Sequence, residues 1–125
     1  MSDPIADLLI RLKNALSAGK TEAVLPYSKH KKAVLDVILK EGFISAVSEK
    51  IVKNQKMLLV TFGAGKMMHL KRLSKPGQRI YVKANDIPKP LRGLGLIVMS
   101  TPVGVISGRE AKKTNIGGEL ICEIW

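Results

Sequence analysis

The chain is short of the residues on which most catalytic and metal-binding proteins depend. It has one cysteine, Cys122, and two histidines, His30 and His69, in 125 residues. A lone cysteine excludes an intramolecular disulfide, and three nitrogen or sulfur ligands cannot close a zinc site of the usual kind, so no metal is expected. Aromatic residues make up only 4%, too few for a platform on which single-stranded bases stack. No apolar run approaches the ~18 residues of a membrane helix, because Lys, Arg, Ser or Pro interrupts each one, and no membrane association is expected. The start MSDPIADLL lacks the basic head and long apolar stretch of a secretory leader, which points to the cytoplasm. No nucleophile with a base, and no carboxylate pair, stands out, so neither an enzyme nor a cofactor is expected. Acid is scarce too, with 10 Asp and Glu against 21 Lys and Arg.

That imbalance is the most informative feature present. A net charge of +11 and a pI near 10.0 imply a polyanionic partner, because a basic surface draws in phosphate backbones by releasing their counterions. Hydrophobic residues at 46% are ordinary for a folded chain, and the length suits one domain or two very small ones.

Asp3 and Pro4 open a helix, the carboxylate capping free N–H groups and the proline fitting the first helical position. Ile5, Leu8, Leu9, Leu12, Ala15 and Leu16 form its apolar stripe, and Gly19 ends it. Its outward face carries Arg11, Lys13 and Asn14, a solvated face or a place for phosphates. A short strand, EAVLP (22–26), follows. Ser28 then caps a second helix whose expected stripe is Ala33, Val34, Val37 and Ile38, closed by Gly42. Lys29, His30, Lys31 and Lys32 crowd its first turn, where the helix dipole is already positive; an unpaired cation there costs a few tenths of a kcal/mol or, with a bound anion, becomes favourable. Residues 44–52 and 56–62 read as a hairpin around a Lys53-Asn54-Gln55 turn. The sum is an α-β-α-β-β layer spanning residues 1–65, the N-terminal α+β domain of an α+β protein with two small domains.

Gly63-Ala64-Gly65-Lys66 is not a phosphate-binding loop, since Val60 stands where a glycine is needed and Met67 follows the lysine; it reads as a boundary. The second domain, residues 66–125, is mostly β with one short helix. It starts with a strand at 69–73, a Pro76-Gly77 turn of type II, and a strand at 79–82, decorated by Lys71, Arg72, Lys75, Arg79 and Lys83. Residues 87–92, with two prolines, make a turn or short helix. GLGLIVMSTPVG (93–104) then reads as a buried strand over Leu94, Leu96, Ile97, Val98 and Met99, with Ser100 and Thr101 at its end. A turn at 102–104 and a return strand from Val105 leave those hydroxyls on a rigid tip, which is either an ordinary turn or a contact. Ser107 to Glu110 is a capping box for a helix through Lys113 that ends near Asn115. Gly117-Gly118 opens a last strand, residues 119–125, in which Leu120, Cys122 and Ile124 share one face and Cys122 is a core thiol. Residues 1–65 carry 10 basic and 6 acidic groups, net +4, and residues 66–125 carry 11 and 4, net +7. The second domain should hold the stronger anion site.

No recognition helix, zinc module or basic zipper is present for reading DNA. Loops and strand ends bearing hydroxyls suit structured RNA, which is read by shape, backbone and 2′-hydroxyls. The alternative is a general nucleic-acid or DNA-architectural binder, for which charge alone suffices.

DPIADLLIRLKNA (3–15), PYSKHK (26–31), LKEGFI (39–44), SKPGQRIYV (74–82), GLGLIVMST (93–101), GREAKK (108–113) and IGGELICEIW (116–125) stand in order along the chain. Together they resemble the eighth small-subunit ribosomal protein family in its bacterial form, from Asp3 to Trp125. The resemblance implies a primary ribosomal-RNA-binding protein that takes a distorted helix in the central domain of 16S rRNA and helps assemble the platform beside neighbouring small-subunit proteins. It implies a monomer when free, and in some bacteria repression of the protein's own operon mRNA. It also implies site residues. The family's Ser-Thr-Ser loop falls on Ser100, Thr101 and Pro102, with Val103 where the family commonly has lysine, before Gly104. The family's Gly-Gly-Glu falls on Gly117, Gly118 and Glu119. Tyr81 matches a tyrosine near the same site, with a core tyrosine as the alternative, and Ser28, Lys29 and Lys31 match a backbone-contacting segment of the first domain.

Overall fold

The computed structural model of the chain describes residues 4–63, 69–89 and 95–125. The cap expected at Asp3, the boundary passage 64–68, and residues 90–94, including Gly93 and Leu94, lie outside the described residues. The fold is α+β, and the chain divides into two compact units, Met1–Met68 and His69–Trp125.

The first unit runs α1 (Pro4–Ser17), β1 (Glu22–Pro26), α2 (Lys29–Lys40), β2 (Ala46–Val52) and β3 (Gln55–Thr61). The strands form an antiparallel sheet in the order β1-β3-β2. Alternation along β1 and β3 buries Ala23, Leu25, Leu58 and Val60, which share the interior with Leu8 and Leu12 of α1 and Val34, Leu35 and Ile38 of α2. The hairpin turn is one residue shorter than expected. Lys53 and Asn54 alone form it, with φ of 51° and 62°, and Gln55 already pairs with Val52. Two left-handed residues in a two-residue loop give the turn whose twist matches the flanking strands, and asparagine tolerates that conformation.

The second unit runs β4 (Leu70–Arg72), β5 (Tyr81–Val82), a single 3-10 turn (Ala84–Asp86), β6 (Leu96–Thr101), β7 (Gly104–Ser107), α3 (Gly108–Lys113) and β8 (Gly118–Ile124). Its sheet is ordered β4-β8-β6-β7, and β5 also pairs with β8. The strands at 69–73 and 79–82 therefore do not pair with each other. They lie end to end along β8, Leu70–Arg72 against Ile124–Cys122 and Tyr81–Val82 against Glu119–Gly118. Only the Lys75–Gln78 bridge survives of the expected hairpin, and Gly77 is not among the positive-φ residues, so its turn is not type II. A single 3-10 turn at Ala84–Asp86, with Ile87 buried behind it, precedes the 87–92 passage, for which a turn or short helix is expected and of which residues 90–92 lie outside the described residues.

The C-terminal ends of α1, α2 and α3 share one device. The N–H groups of Gly19 and Lys20 bond to the carbonyls of Leu16 and Ala15; those of Gly42 and Phe43 to Leu39 and Ile38; those of Asn115 and Ile116 to Lys112 and Ala111. Gly19, Gly42 and Asn115 take the left-handed conformation that this paired closure requires.

Candidate nucleic-acid interface

The tip after β6 is tighter than the sequence suggests. Pro102 and Val103 alone form the turn, and Gly104 is the first residue of β7, paired with Thr101 at a φ of 121°. The Thr101 hydroxyl donates to the Gly104 carbonyl at 2.7 Å and accepts from the Val103 N–H at 3.3 Å. Its proton is therefore used in closing the tip. Among the described residues no hydrogen bond engages the half-buried Ser100 hydroxyl one residue earlier. Val103 is 67% exposed at the apex.

Antiparallel register sets Ser100 opposite Glu119, and Glu119 opposite Tyr81. Directly paired residues project from the same face, so hydroxyl, carboxylate and phenol form one row across three strands. A bulge in β8 makes this alignment. Val98 pairs with Cys122 but Met99 pairs with Leu120, leaving Ile121 as the extra residue. The bulge also corrects the expected face of β8. Cys122 and Ile124 stay with Val98 and Leu96, whereas Leu120 turns to Met99 and joins Ile87, Ile97 and Ala111 in a buried cluster.

The glycines before Glu119 are steric requirements. A Cβ on Gly118 would collide with the Ser100 carbonyl oxygen, and one on Gly117 would lie 2.5 Å from the Val82 carbonyl oxygen. Neither obstacle is a flexible side chain, so β8 can approach the ends of β5 and β6 only without side chains there. Ser74, which sequence reasoning passed over, holds the other end of the row. It is buried, its Oγ accepts from the Ile80 N–H at 2.9 Å, and the Ile80 carbonyl accepts from the Leu120 N–H at 2.9 Å, which seats Tyr81 on β8. Its position before Lys75-Pro76-Gly77, where serine is apt to bond backbone, was the available signal.

Tyr81 is 67% exposed, so the core alternative for this residue fails. Glu119 is largely covered and accepts from Arg79 at 3.5 Å. Lys71, Lys75 and Lys83 are exposed on the same unit. Cys122 is fully buried, and burial, helped by Glu123, pushes its thiol up to about 12, as expected of a core cysteine rather than a nucleophile.

The first unit's cationic turn is arranged differently. Ser28 caps α2 as expected, accepting from the Lys31 N–H at 3.4 Å. Lys31, however, is buried, and its ammonium donates to Asp7 of α1 at 2.5 Å, so at this position, where the resemblance implies a backbone contact, the ammonium is engaged in an internal ion pair. Asp7 also accepts from Arg11 at 3.0 Å, and these two bonds, that from Lys31 above all, hold its carboxyl below the usual carboxylate range. Lys32 pairs with Asp36 at 2.8 Å, which raises its pKa. Lys29 and His30 remain exposed. The true stripe of α2 is Lys31, Val34, Leu35 and Ile38, at i, i+3, i+4 and i+7, with Val37 beside it. Read in that register, the sequence places a lysine on a buried face, where a counter-charge is required.

Fold and site together define a class: small basic α+β proteins that present a polar row at the end of a rigid sheet. Comparison narrows the class to a family. The model of the family described as Ribosomal protein S8 matches residues 3–125. Small ribosomal subunit protein uS8 of Mycoplasmopsis synoviae is 45% identical over all of this chain and 98% of its own length, and that of Caldanaerobacter subterraneus is 43% identical over the same shares. The Thermus aquaticus protein of that name is 38% identical over all of this chain and 99% of its own. The chain belongs to the ribosomal protein S8 family. It is a component of the small subunit of the cytoplasmic ribosome, and its relatives are structural ribosomal proteins, which points away from catalysis.

Proposed function

We propose that the protein is a primary binder of a helix in the central domain of 16S rRNA, that it contacts this helix with the polar end of the second unit's sheet, and that it helps assemble the platform of the small subunit as a monomer before neighbouring proteins join. The observation that carries the reading is the row Tyr81–Glu119–Ser100, because three separate stretches of chain converge there on a site no hydrophobic core requires. Ser100 is the hydroxyl offered to RNA. Thr101, with Gly104, fixes the tip that presents it. Tyr81 offers a ring face and a phenol, Arg79 a cation whose partner Glu119 sits in the same row, and Gly117 and Gly118 permit the close strand approach. In the first unit Ser28 and Lys29 face the backbone of the RNA, with Lys31 acting through Asp7 as a positioning residue. Repression of the protein's own operon mRNA uses the same surface if that message carries a similar fold.

Binding to the 16S central-domain helix should weaken steeply with salt and survive an excess of unrelated duplex RNA or random DNA. Equal competition by random DNA at matched salt would instead identify a general nucleic-acid binder.

A further inference from the structure

The core of the second unit brings two of its exposed cations together. Ile87, just after the 3-10 turn, is buried in one cluster with Ala111 of α3, and it lies so close to Gly108 that a Cβ there would meet its Cγ2 at 3.0 Å. This anchor fixes two segments side by side. Lys89 and Lys112 follow Ile87 and Ala111 on those segments, both exposed, and the Lys89 side chain reaches that of Lys112 as a hydrogen-bonding partner. A contact between two lysine nitrogens is a hydrogen bond only when one of them is the free amine, because two ammonium groups have no acceptor and repel. That contact, and after it the charge of Lys89, holds Lys112 below the ordinary lysine range. The other charged groups around α3 are Arg109, Glu110 and Lys113 on the helix itself and Lys83 and Asp86 at the 3-10 turn; β6 and β7, which also pack on it, carry none. Lys89 is the one that acts on Lys112. Lys113 shares the last turn of α3, where the helix dipole favours the protonated form of either lysine, and so serves as an internal reference. A lysine that gives up its proton beside a second cation is a nucleophile.

We propose that Lys112 is a modification site, an amine made ready by Lys89 to take an acyl group from an acyl phosphate. The Lys112 nitrogen attacks the carbonyl carbon, the bond from that carbon to the phosphate oxygen breaks, phosphate leaves with the bonding pair, and the amine proton passes to solvent. No oxidant or reductant is needed. Lys89 is the positioning residue: its charge attracts the anionic donor and keeps Lys112 deprotonated, and the neutral amide formed ends the repulsion between the two side chains. The test treats the full-length protein, without RNA, with acetyl phosphate and follows each lysine over time by tandem mass spectrometry. At neutral pH Lys112 should be acetylated about threefold faster than Lys113. Lys89→Ala should bring the two rates together, although it opens more space around Lys112, whereas Lys89→Arg, which keeps the charge, should retain the preference. The preference should also shrink as pH rises into the ordinary lysine range, where both amines are free. A rate at Lys112 no greater than at Lys113 overturns the proposal, as does a preference that survives Lys89→Ala or is lost in Lys89→Arg. A preference that does not change with pH places its cause in access rather than protonation, and overturns it too.

Discussion

The two polar clusters of this protein start from similar raw material and end differently. At the end of the second unit's sheet, Ser100, Glu119 and Tyr81 come from three strands and form one row, exposed at Tyr81 and partly covered at Glu119 and Ser100. At the start of α2, four consecutive basic residues look like the stronger anion site, yet two of them are committed internally, Lys31 to Asp7 and Lys32 to Asp36. The difference teaches that residue type states what a group can do, whereas tertiary pairing decides whether it is free to do it. A lysine on a buried helical stripe must find a carboxylate before it can be left in the interior, and here the carboxylate lies 24 residues away.

Three substitutions and one labelling experiment test this contrast, and the largest effect is expected at Gly118. Gly118→Ala forces a Cβ against the Ser100 carbonyl and should cost about 3 kcal/mol in urea unfolding, with loss of RNA binding, because backbone must move to admit it. If the variant is as stable as wild type, the convergence at the sheet end is looser than described. Next, Asp7→Asn strands the buried Lys31 ammonium and should lower stability by about 2 kcal/mol, less than for a fully buried pair because Asp7 is partly exposed, with an unchanged salt slope for RNA binding. The carboxyl of Asp7 is held low in the folded protein, so its contribution is complete above the ordinary carboxylate range and is lost as pH falls through its folded value. The stability gap between wild type and Asp7→Asn should therefore close below about pH 4. A change in RNA salt slope with no change in stability would restore Lys31 as a direct phosphate ligand.

A smaller effect is expected at Thr101. Thr101→Val removes one donated and one accepted bond at the tip and should cost about 1 kcal/mol locally, read as faster amide exchange at Val103. Unchanged exchange would mean that the hydroxyl is available to RNA, as Ser100 is. The least effect belongs to Cys122, whose thiol, raised to about 12 by burial, should resist iodoacetamide at pH 8 in the native protein and react in urea. Native labelling would show that the second unit opens readily around β8.

Much of this arrangement was legible in the chain because it is set locally. Gly19, Gly42 and Asn115 close the helices, Ser28 and Ser107 cap two of them, and the apolar run 96–99 is a buried strand, each decided by residues within one or two turns. What was not legible depends on distant partners. The 69–82 segment resembles a hairpin until β8, some forty residues on, takes both of its strands. The bulge at Ile121 has no local marker, yet it decides that Leu120 and Cys122 occupy opposite faces. On α2 the expected Val34, Val37 and Ile38 are buried, but Lys31 and Leu35 take the place expected for Ala33, because Lys31 reads as surface until Asp7 is known.

The central claim, that the polar end of the second unit's sheet is the RNA contact, is tested most directly by measuring the affinity of Ser100→Ala for the 16S central-domain helix over a range of salt. Removing one hydroxyl that binds RNA and releases no ions should weaken binding by about 1 to 2 kcal/mol, in a line parallel to wild type, with protein stability unchanged. Wild-type affinity at every salt concentration would contradict it.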